Sequence, residues 1–123
     1  MIRTHRDLIA WQRGMELCKN VYVATRRMPK EELFGLTSQM RRAAVSVPSN
    51  IAEGYALESR KAYLKHLRTA RGSLAELSTQ WQLTIELELL PAQSEIQALL
   101  DETDRVLQGL IRGVRKSKPR LTR

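Results

Sequence analysis

Polar side chains that could hydrogen-bond a ligand or exchange protons recur between Gly35 and Gly54, in the segment GLTSQMRRAAVSVPSNIAEG. At helical spacing, Arg42, Asn50 and Glu53 fall on one narrow stripe, and apolar residues cover most of the remaining circumference. A later segment adds a serine and a glutamate at matching spacing. We call this set the polar stripe: Arg42, Ser46, Asn50, Glu53, Ser73 and Glu76.

Two functions fit the polar stripe. It is either a buried hydrogen-bond network that fixes the register of two packed helices, or a ligand pocket. We favour the network, because buried polar groups normally find partners within the fold. On this interpretation Arg42 and Glu53 are largely buried, and a neighbouring helix or subunit supplies their partners.

Residues that usually perform catalysis are sparse. The chain has two histidines, His5 and His66, and the residues three positions before them are Ile2 and Tyr63. Neither histidine therefore belongs to the Glu-x-x-His pair that is found in di-metal helical bundles. The sequence contains no GxxxxGK[ST], GxGxxG or CxxC motif. No nucleophile, base and orienting group can be named together. We therefore predict a protein that is not an enzyme and that has no metal or other cofactor.

The charge balance favours anionic partners. The chain has 21 Lys and Arg residues against 13 Asp and Glu residues, which gives a formal net charge of +8. Nucleic acid is the first partner that this excess suggests, and an acidic membrane surface is the second. The candidate phosphate-binding residues are Arg3, Arg6, Arg13, Lys61, Lys65, Arg68, Arg71, Arg112, Arg115 and Lys116. No base-reading motif is present, so we expect contacts to phosphates with little sequence readout.

Helical segments must position these side chains, and no strand pattern is evident. The first helix is predicted from Asp7 to Met28, where apolar residues recur every three or four positions before Pro29. The second is predicted to begin within residues 31–36 and to end near Gly54, since glycine often follows the last turn of a helix.

The third helix is predicted to start after Glu58 or Ser59 and to reach about Leu89, and Pro91 is the expected first residue of the fourth. Gly72 interrupts the third helix at a cost of about 1 kcal/mol relative to Ala. That cost predicts the close approach of another backbone at Gly72.

The predicted fold class is all-α, an up-and-down antiparallel four-helix bundle over residues 1–116, because the connections are short. Residues 117–123 are expected to form a basic, disordered tail, since Pro119 cannot continue a helix. The second helix is apolar on more faces than one small bundle can cover, which predicts a homo-oligomer.

The chain has one cysteine, Cys18, so no intrachain disulfide framework can form. Charged residues interrupt any signal-peptide pattern after Met1, and no apolar run approaches the roughly 20 residues needed to cross a bilayer. We therefore predict a cytoplasmic protein without a membrane partner.

Three segments carry a resemblance to a known family. They are DLIAWQRGMEL from Asp7, ELFGLTSQMRRAAVSVPSNIAEGY from Glu32 and RTARGSLAELSTQ from Arg68. With RRA, S-x-P-S-N-I-A-E-G and G-S-x-x-E-L in that order, the chain resembles the bacterial four-helix bundle proteins of the 23S rRNA intervening-sequence family. The resemblance covers roughly residues 5–90, and the fourth helix is similar only in character.

The resemblance implies a small cytosolic protein that forms ring-like homopentamers, and some family genes lie within large-subunit rRNA genes. The chain is more distantly similar to the accessory proteins of diversity-generating retroelements, basic barrels linked to nucleic acid and a reverse transcriptase. The resemblance assigns no catalytic residue. The positions that match the family motifs are Arg41, Arg42, Ser46, Asn50, Glu53, Gly54, Gly72, Ser73 and Glu76.

Two functions remain open from the sequence. The favoured one is a non-catalytic homo-oligomer, a pentamer by resemblance, that binds RNA in preference to DNA through basic surfaces. The alternative is a protein-interaction scaffold that binds no nucleic acid and whose charge is incidental. Salt-dependent binding of RNA would separate the two.

Overall fold

The computed structural model describes residues 1–117. Residues 118–123, which hold most of the predicted basic tail, lie outside the described residues, so the division into a bundle and a tail stays a prediction. The described chain contains long helices and no strand, which confirms the all-α fold class. The long helices are α1 (Ile9–Thr25), α2 (Ser38–Ala56), α3 (Arg60–Glu86) and α4 (Ser94–Lys116).

Each long helix contacts two others. α1 and α3 both pack against α2 and against α4. Successive helices run in opposite directions, because residue numbers rise along one helix as they fall along its neighbour. For α1 and α2, the contacting pairs are Gly14 with Val47 and Thr25 with Arg41. For α2 and α3, they are Gln39 with Gln80 and Asn50 with His66. For α3 and α4, they are Arg60 with Val114 and Arg71 with Asp104.

The core between the helices is aliphatic. Its fully buried large side chains include Leu17, Val21, Met40, Val47, Ile51, Leu67, Leu77, Ile96 and Leu107. Burial of a side chain of this size contributes about 1.5–3 kcal/mol. Together with the other buried residues, they follow three- and four-residue steps; in α3, for example, Ala70 and Leu74 lie between Leu67 and Leu77. The core is therefore built from the same periodicity that predicts the helices.

The apolar side of α2 is covered by the chain itself. α2 lies between α1 and α3, and its buried residues are Met40, Ala43, Ala44, Val47, Pro48, Ile51 and Gly54. Val45 remains 41% exposed. The apolar pattern of α2 therefore does not require a second chain. The sequence argument that led from this pattern to an oligomer is wrong, and the oligomer itself stays a prediction.

The first helix is shorter than predicted. Thr4 and Asp7 form a reciprocal capping box, as the sequence indicates, but the box starts a short 3-10 turn at residues 5–7. The chain then becomes extended at Leu8, and α1 begins at Ile9. α1 ends at Thr25, three residues before the predicted end at Met28.

The chain enters α2 through irregular turns. A 3-10 turn over Lys30–Glu32 is followed by a π-helical turn over Leu33–Thr37, in which Gly35 has non-helical angles of φ −110° and ψ −115°. Oε1 of Glu32 accepts a hydrogen bond from the backbone N–H of Leu36 at 3.2 Å. α2 therefore begins later than predicted, at Ser38.

Gly54 lies inside α2 rather than after its last turn, although the helix does end near it, as predicted. α2 continues to Ala56, and α3 packs directly over Gly54. A Cβ atom at this position would lie 2.8 Å from Cβ of His66 and 3.2 Å from Cδ1 of Tyr63. The glycine is needed for the close packing of α2 against α3.

Two predictions about α3 and α4 are also wrong. A Cβ atom at Gly72 would meet no atom of residues 1–117 within 4 Å, so no other backbone in that part of the chain approaches the glycine. α4 begins at Ser94 rather than at Pro91, and the chain leaves α3 through Glu88, whose φ is 58°. The predicted start of α3 is confirmed, since Oγ of Ser59 caps the helix by accepting from the N–H of Ala62.

Candidate nucleic-acid interface

One end of the molecule gathers the chain before α1, the end of α2, the start of α3 and the end of α4. Residues from all four segments, among them Arg3, Gly54, Arg60 and Val114, line one open cavity there. We call this region the basic end and define it by its cations. They are Arg3, Arg6, Arg60, Lys61, Lys65, Arg68, Arg112, Arg115 and Lys116.

Arg60 holds α3 and α4 together at the basic end. Its Nε donates to the carbonyl of Val114 at 3.0 Å, and a terminal guanidinium nitrogen donates to the carbonyl of Arg115. Carbonyls in the last turn of a helix have no partner within that helix, and a cation beside them is favourable. Sequence reasoning missed Arg60, because its partners are backbone atoms of a distant segment. No local sequence signal identifies such a contact.

The cations on the solvent side of the basic end are exposed. Lys61, Lys65 and Arg68 recur on one face of the first turns of α3, and Arg112, Arg115 and Lys116 occupy the last turns of α4. None of these side chains forms an ion pair with another residue of the described chain. No ion pair within residues 1–117 neutralises them, and cations outnumber carboxylates at this end, so its net charge is positive.

The turn that carries Arg3 and Arg6 is held by a carboxylate. Oδ2 of Asp7 accepts hydrogen bonds from the backbone N–H groups of Arg3 at 2.8 Å and Thr4 at 3.2 Å. These two bonds lower the pKa of the Asp7 carboxyl, because they stabilise its ionised form. Asp7 thus fixes the backbone beside α1, and the Arg3 and Arg6 side chains stay exposed.

Arg13 and Arg71 differ from the other candidate residues, because carboxylates of α4 neutralise both. Nε of Arg13 lies 3.0 Å from Oε2 of Glu102, and its guanidinium also lies 3.4 Å from Oε1 of Glu16. Nε of Arg71 lies 3.1 Å from Oδ1 of Asp104. The structure therefore separates these two arginines from the unpaired cations of the basic end.

Part of the polar stripe joins α2 to α3. Oγ of Ser46 and Oγ of Ser73 lie 2.7 Å apart, and the amide nitrogen of Asn50 donates to the carbonyl and the hydroxyl of Ser46. Oδ1 of Asn50 lies 3.0 Å from Nδ1 of His66. Because that amide oxygen can only accept, Nδ1 of His66 carries the proton. The four side chains form one continuous interhelical network.

The other members of the polar stripe face solvent. The side chain of Glu53 is 63% exposed, and its Oε2 lies 3.7 Å from Nε2 of His66. Arg42 and Glu76 are exposed too, and neither forms an ion pair within residues 1–117. Within the single chain no neighbouring helix buries Arg42 or Glu53, because only α1 and α3 cover α2. Burial of these two residues by a second subunit stays a prediction. His66, expected at the polar surface, is only 20% exposed in its side chain.

Among residues 1–117, no helix is both long enough and apolar enough to cross a membrane. Residues 1–117 also contain no group of three or more His, Cys, Asp or Glu side chains placed to hold a metal ion.

The comparisons with known proteins bear on the whole bundle. Among curated proteins, none matches the chain at a significant level of similarity. The family model described as 23S rRNA-intervening sequence protein matches residues 6–112, from the turn before α1 into the last turns of α4. Because this match spans most of the sequence, the chain belongs to the 23S rRNA-intervening sequence protein family.

Proposed function

We propose that the protein binds nucleic acid through its basic end, with RNA preferred to DNA. The observation that carries the proposal is the convergence of exposed, unpaired cations from α3, α4 and the segment before α1 on one end of the molecule. Each cation that neutralises a phosphate releases a counterion from the nucleic acid. Binding should therefore weaken steeply as salt concentration rises.

The preference for RNA is supported by the description of the family, which names 23S rRNA. The basic end has cations but no recognised base-reading motif, so its contacts go to phosphates and sugars. Such contacts position a nucleic acid without selecting a sequence. We expect affinity to vary little between RNA sequences of equal length and similar structure.

The proposed architecture is an up-and-down four-helix bundle that acts without catalysis, metal or cofactor in the cytoplasm. The opposite directions of successive helices and the contact between α4 and α1 support that arrangement. The half-buried His66 uses Nδ1 to hold α2 and α3 together. That contact supports a structural role for the histidine rather than a catalytic one.

We also propose that the protein works as a homo-oligomer, with a pentamer favoured by its resemblance to ring-forming family members. The support within the chain comes from the end opposite the basic end, where Phe34 is 92% exposed. We call that region the apolar end. Its exposed apolar residues are Val23, Leu33, Phe34, Leu83 and Leu87. Several basic ends in one assembly would convert weak contacts into avidity.

A protein-interaction scaffold is the second candidate function, and the apolar end is the observation that favours it. Clustered exposed apolar residues on a small protein often mark a protein-binding surface. In that case the basic end would be a solvated surface, and nucleic acid would bind weakly or not at all.

Charge-removal variants at the two ends test the proposal. Lys61→Gln, Lys65→Gln and Arg68→Gln together remove three exposed cations from the basic end. Arg26→Gln, Arg27→Gln and Lys30→Gln remove three exposed cations from the apolar end, so the change in net charge is matched. Binding to single-stranded RNA, an RNA hairpin and duplex DNA is measured at several salt concentrations, with the assembly mass from light scattering.

We expect the first triple variant to lose affinity for every probe. Its salt slope should fall by up to about 2 on single strands, since each phosphate contact contributes about 0.7. The second triple variant should stay close to the unmodified protein. Equal losses in both variants would indicate a general charge effect, and no binding by the unmodified protein at low salt would leave the scaffold function.

A further inference from the structure

The cavity at the basic end is large and partly aromatic. Its volume is about 800 Å³, within the range of about 300–1,000 Å³ that is typical of ligand pockets. Tyr55 from the end of α2 and Tyr63 from the first turn of α3 both line it. Their rings meet edge to face, with centroids 6.0 Å apart and an interplanar angle of 80°. Two of the three tyrosines in the chain therefore meet at this cavity.

Two glycines of α4, Gly109 and Gly113, line the cavity and contribute no side chain to it. A Cβ atom at Gly113 would meet nothing within 4 Å, and one at Gly109 would meet only a guanidinium nitrogen of Arg112 at 3.8 Å. Neither glycine is required by packing within the described chain, although glycine weakens a helix relative to alanine. Both residues line the cavity, where a larger side chain would reduce its volume.

The cavity also carries polar groups suited to a base and its phosphates. Burial, with a smaller contribution from Tyr55, raises the pKa of Tyr63 to about 12, so its phenol stays neutral and can donate a hydrogen bond. Neither tyrosine hydroxyl has a hydrogen-bond partner within residues 1–117. Arg3 and Arg60 line the same cavity, and the exposed Lys61 is adjacent in the chain.

We propose that this cavity accepts one unpaired nucleobase of a single-stranded nucleic acid, held against Tyr55 and Tyr63, while the surrounding cations contact the flanking phosphates. The inference rests on the proposed function and adds a substrate class to it. Aromatic side chains bind bases by stacking with little sequence preference, because every base has a π-face. A base within a duplex is already stacked and paired, so only a single strand or a free end can supply one.

An abasic strand separates base binding from phosphate binding. The full-length protein is titrated with a single-stranded RNA and with a strand of equal length that carries abasic spacers in place of the bases. The unmodified protein should bind the base-containing strand about 5- to 150-fold more tightly, the range expected for one stacked base. Its affinity for the abasic strand should depend on salt in the same way.

Two variants act on the cavity by different routes. Tyr55→Ala removes an aromatic ring, and Gly113→Leu fills the cavity at a position where the added Cβ atom meets nothing. Each should lower the affinity for the base-containing strand to that for the abasic strand, with the abasic affinity unchanged. Tyr22→Ala is the matched control, since this third tyrosine lies near the apolar end and packs against Arg41.

The outcomes separate the two levels of the proposal. Equal, salt-dependent affinities of the unmodified protein for both strands would overturn the base site and leave the basic end intact. Absence of binding to either strand would overturn the proposed function as well. A loss in Tyr22→Ala as large as that in Tyr55→Ala would also refute the cavity as the site of the base.

Discussion

Nδ1 of His66 donates a hydrogen bond to Oδ1 of Asn50 over 3.0 Å, and this contact ties the start of α3 to the second half of α2. The amide nitrogen of the same Asn50 donates to Ser46 one turn earlier. Gly54, one turn later, lets α3 approach closely enough for the contact to form. The spacing S-x-x-x-N-x-x-x-G therefore describes how α2 packs against α3.

Replacing Asn50 should destabilise the fold. Asn50→Ala leaves the Nδ1 proton of His66 without an acceptor in a half-buried position, and we expect a loss of about 1–3 kcal/mol in the free energy of unfolding. Urea denaturation measures the change. The control is Ser49→Ala at the exposed neighbouring position, where we expect a change within about 0.5 kcal/mol. Similar values for the two variants would show that the network does not stabilise the packing.

Alanine should have opposite effects at two helical glycines. At Gly54 the new Cβ atom would lie 2.8 Å from Cβ of His66, and overpacking costs about 1–3 kcal/mol, more than the gain of about 1 kcal/mol in helix propensity. At Gly72 the new atom meets nothing, so Gly72→Ala should stabilise by up to about 1 kcal/mol. Melting temperatures should therefore move in opposite directions, and a rise for Gly54→Ala would contradict the packing described for α2 and α3.

Stability should fall at high pH through Tyr63. Burial raises the pKa of this phenol to about 12 in the folded protein, from an ordinary value of 10.0. The folded state thus holds the proton after the unfolded state has released it, and this stabilising contribution is complete below pH 10 and is lost as the pH rises towards 12. Urea midpoints measured across this range should fall less steeply in Tyr63→Phe than in the unmodified protein. Parallel curves would show that Tyr63 does not titrate as described.

A truncation tests the contribution of residues 118–123 to binding. Because Arg60 binds the carbonyls of Val114 and Arg115, the truncated chain should keep both residues and end at Ser117. This change removes Lys118, Arg120 and Arg123. We expect weaker binding to all RNA probes and a salt slope smaller by up to about 2 on single strands, with an unchanged melting temperature. Unchanged affinity would exclude these residues from the interface.

The helices could be predicted from the sequence because one physical cause, burial of every third or fourth side chain, determines both the pattern and the core. Met40, Val47 and Ile51 recur at helical spacing in the sequence and are fully buried in the structure. Helix ends were less predictable. The irregular turn at Gly35 and the late start of α4 at Ser94 depend on local backbone geometry that apolar periodicity does not encode.

At the candidate site, too, some features could be predicted from the sequence and others could not. The lysines and arginines of α3 and α4 could be named from charge alone, yet their gathering at one end depends on the antiparallel directions of the helices. Arg60 was missed because it binds backbone carbonyls. The exposure of Glu53 was missed because a helical stripe identifies one face, whereas burial depends on which neighbours cover that face.

The uneven distribution of charge between the two ends also gives the molecule an electric dipole along its helices. Cations outnumber carboxylates at the basic end, whereas at the opposite end Glu31, Glu86, Glu88 and Glu95 outnumber the cations Arg26, Arg27 and Lys30. In the field of a polyanion, such a dipolar body experiences a torque before any contact forms. It arrives with the basic end leading and Phe34 pointing away. If the protein binds nucleic acid as proposed, the apolar end therefore faces away from it, and a second partner bound there would not compete for the same surface.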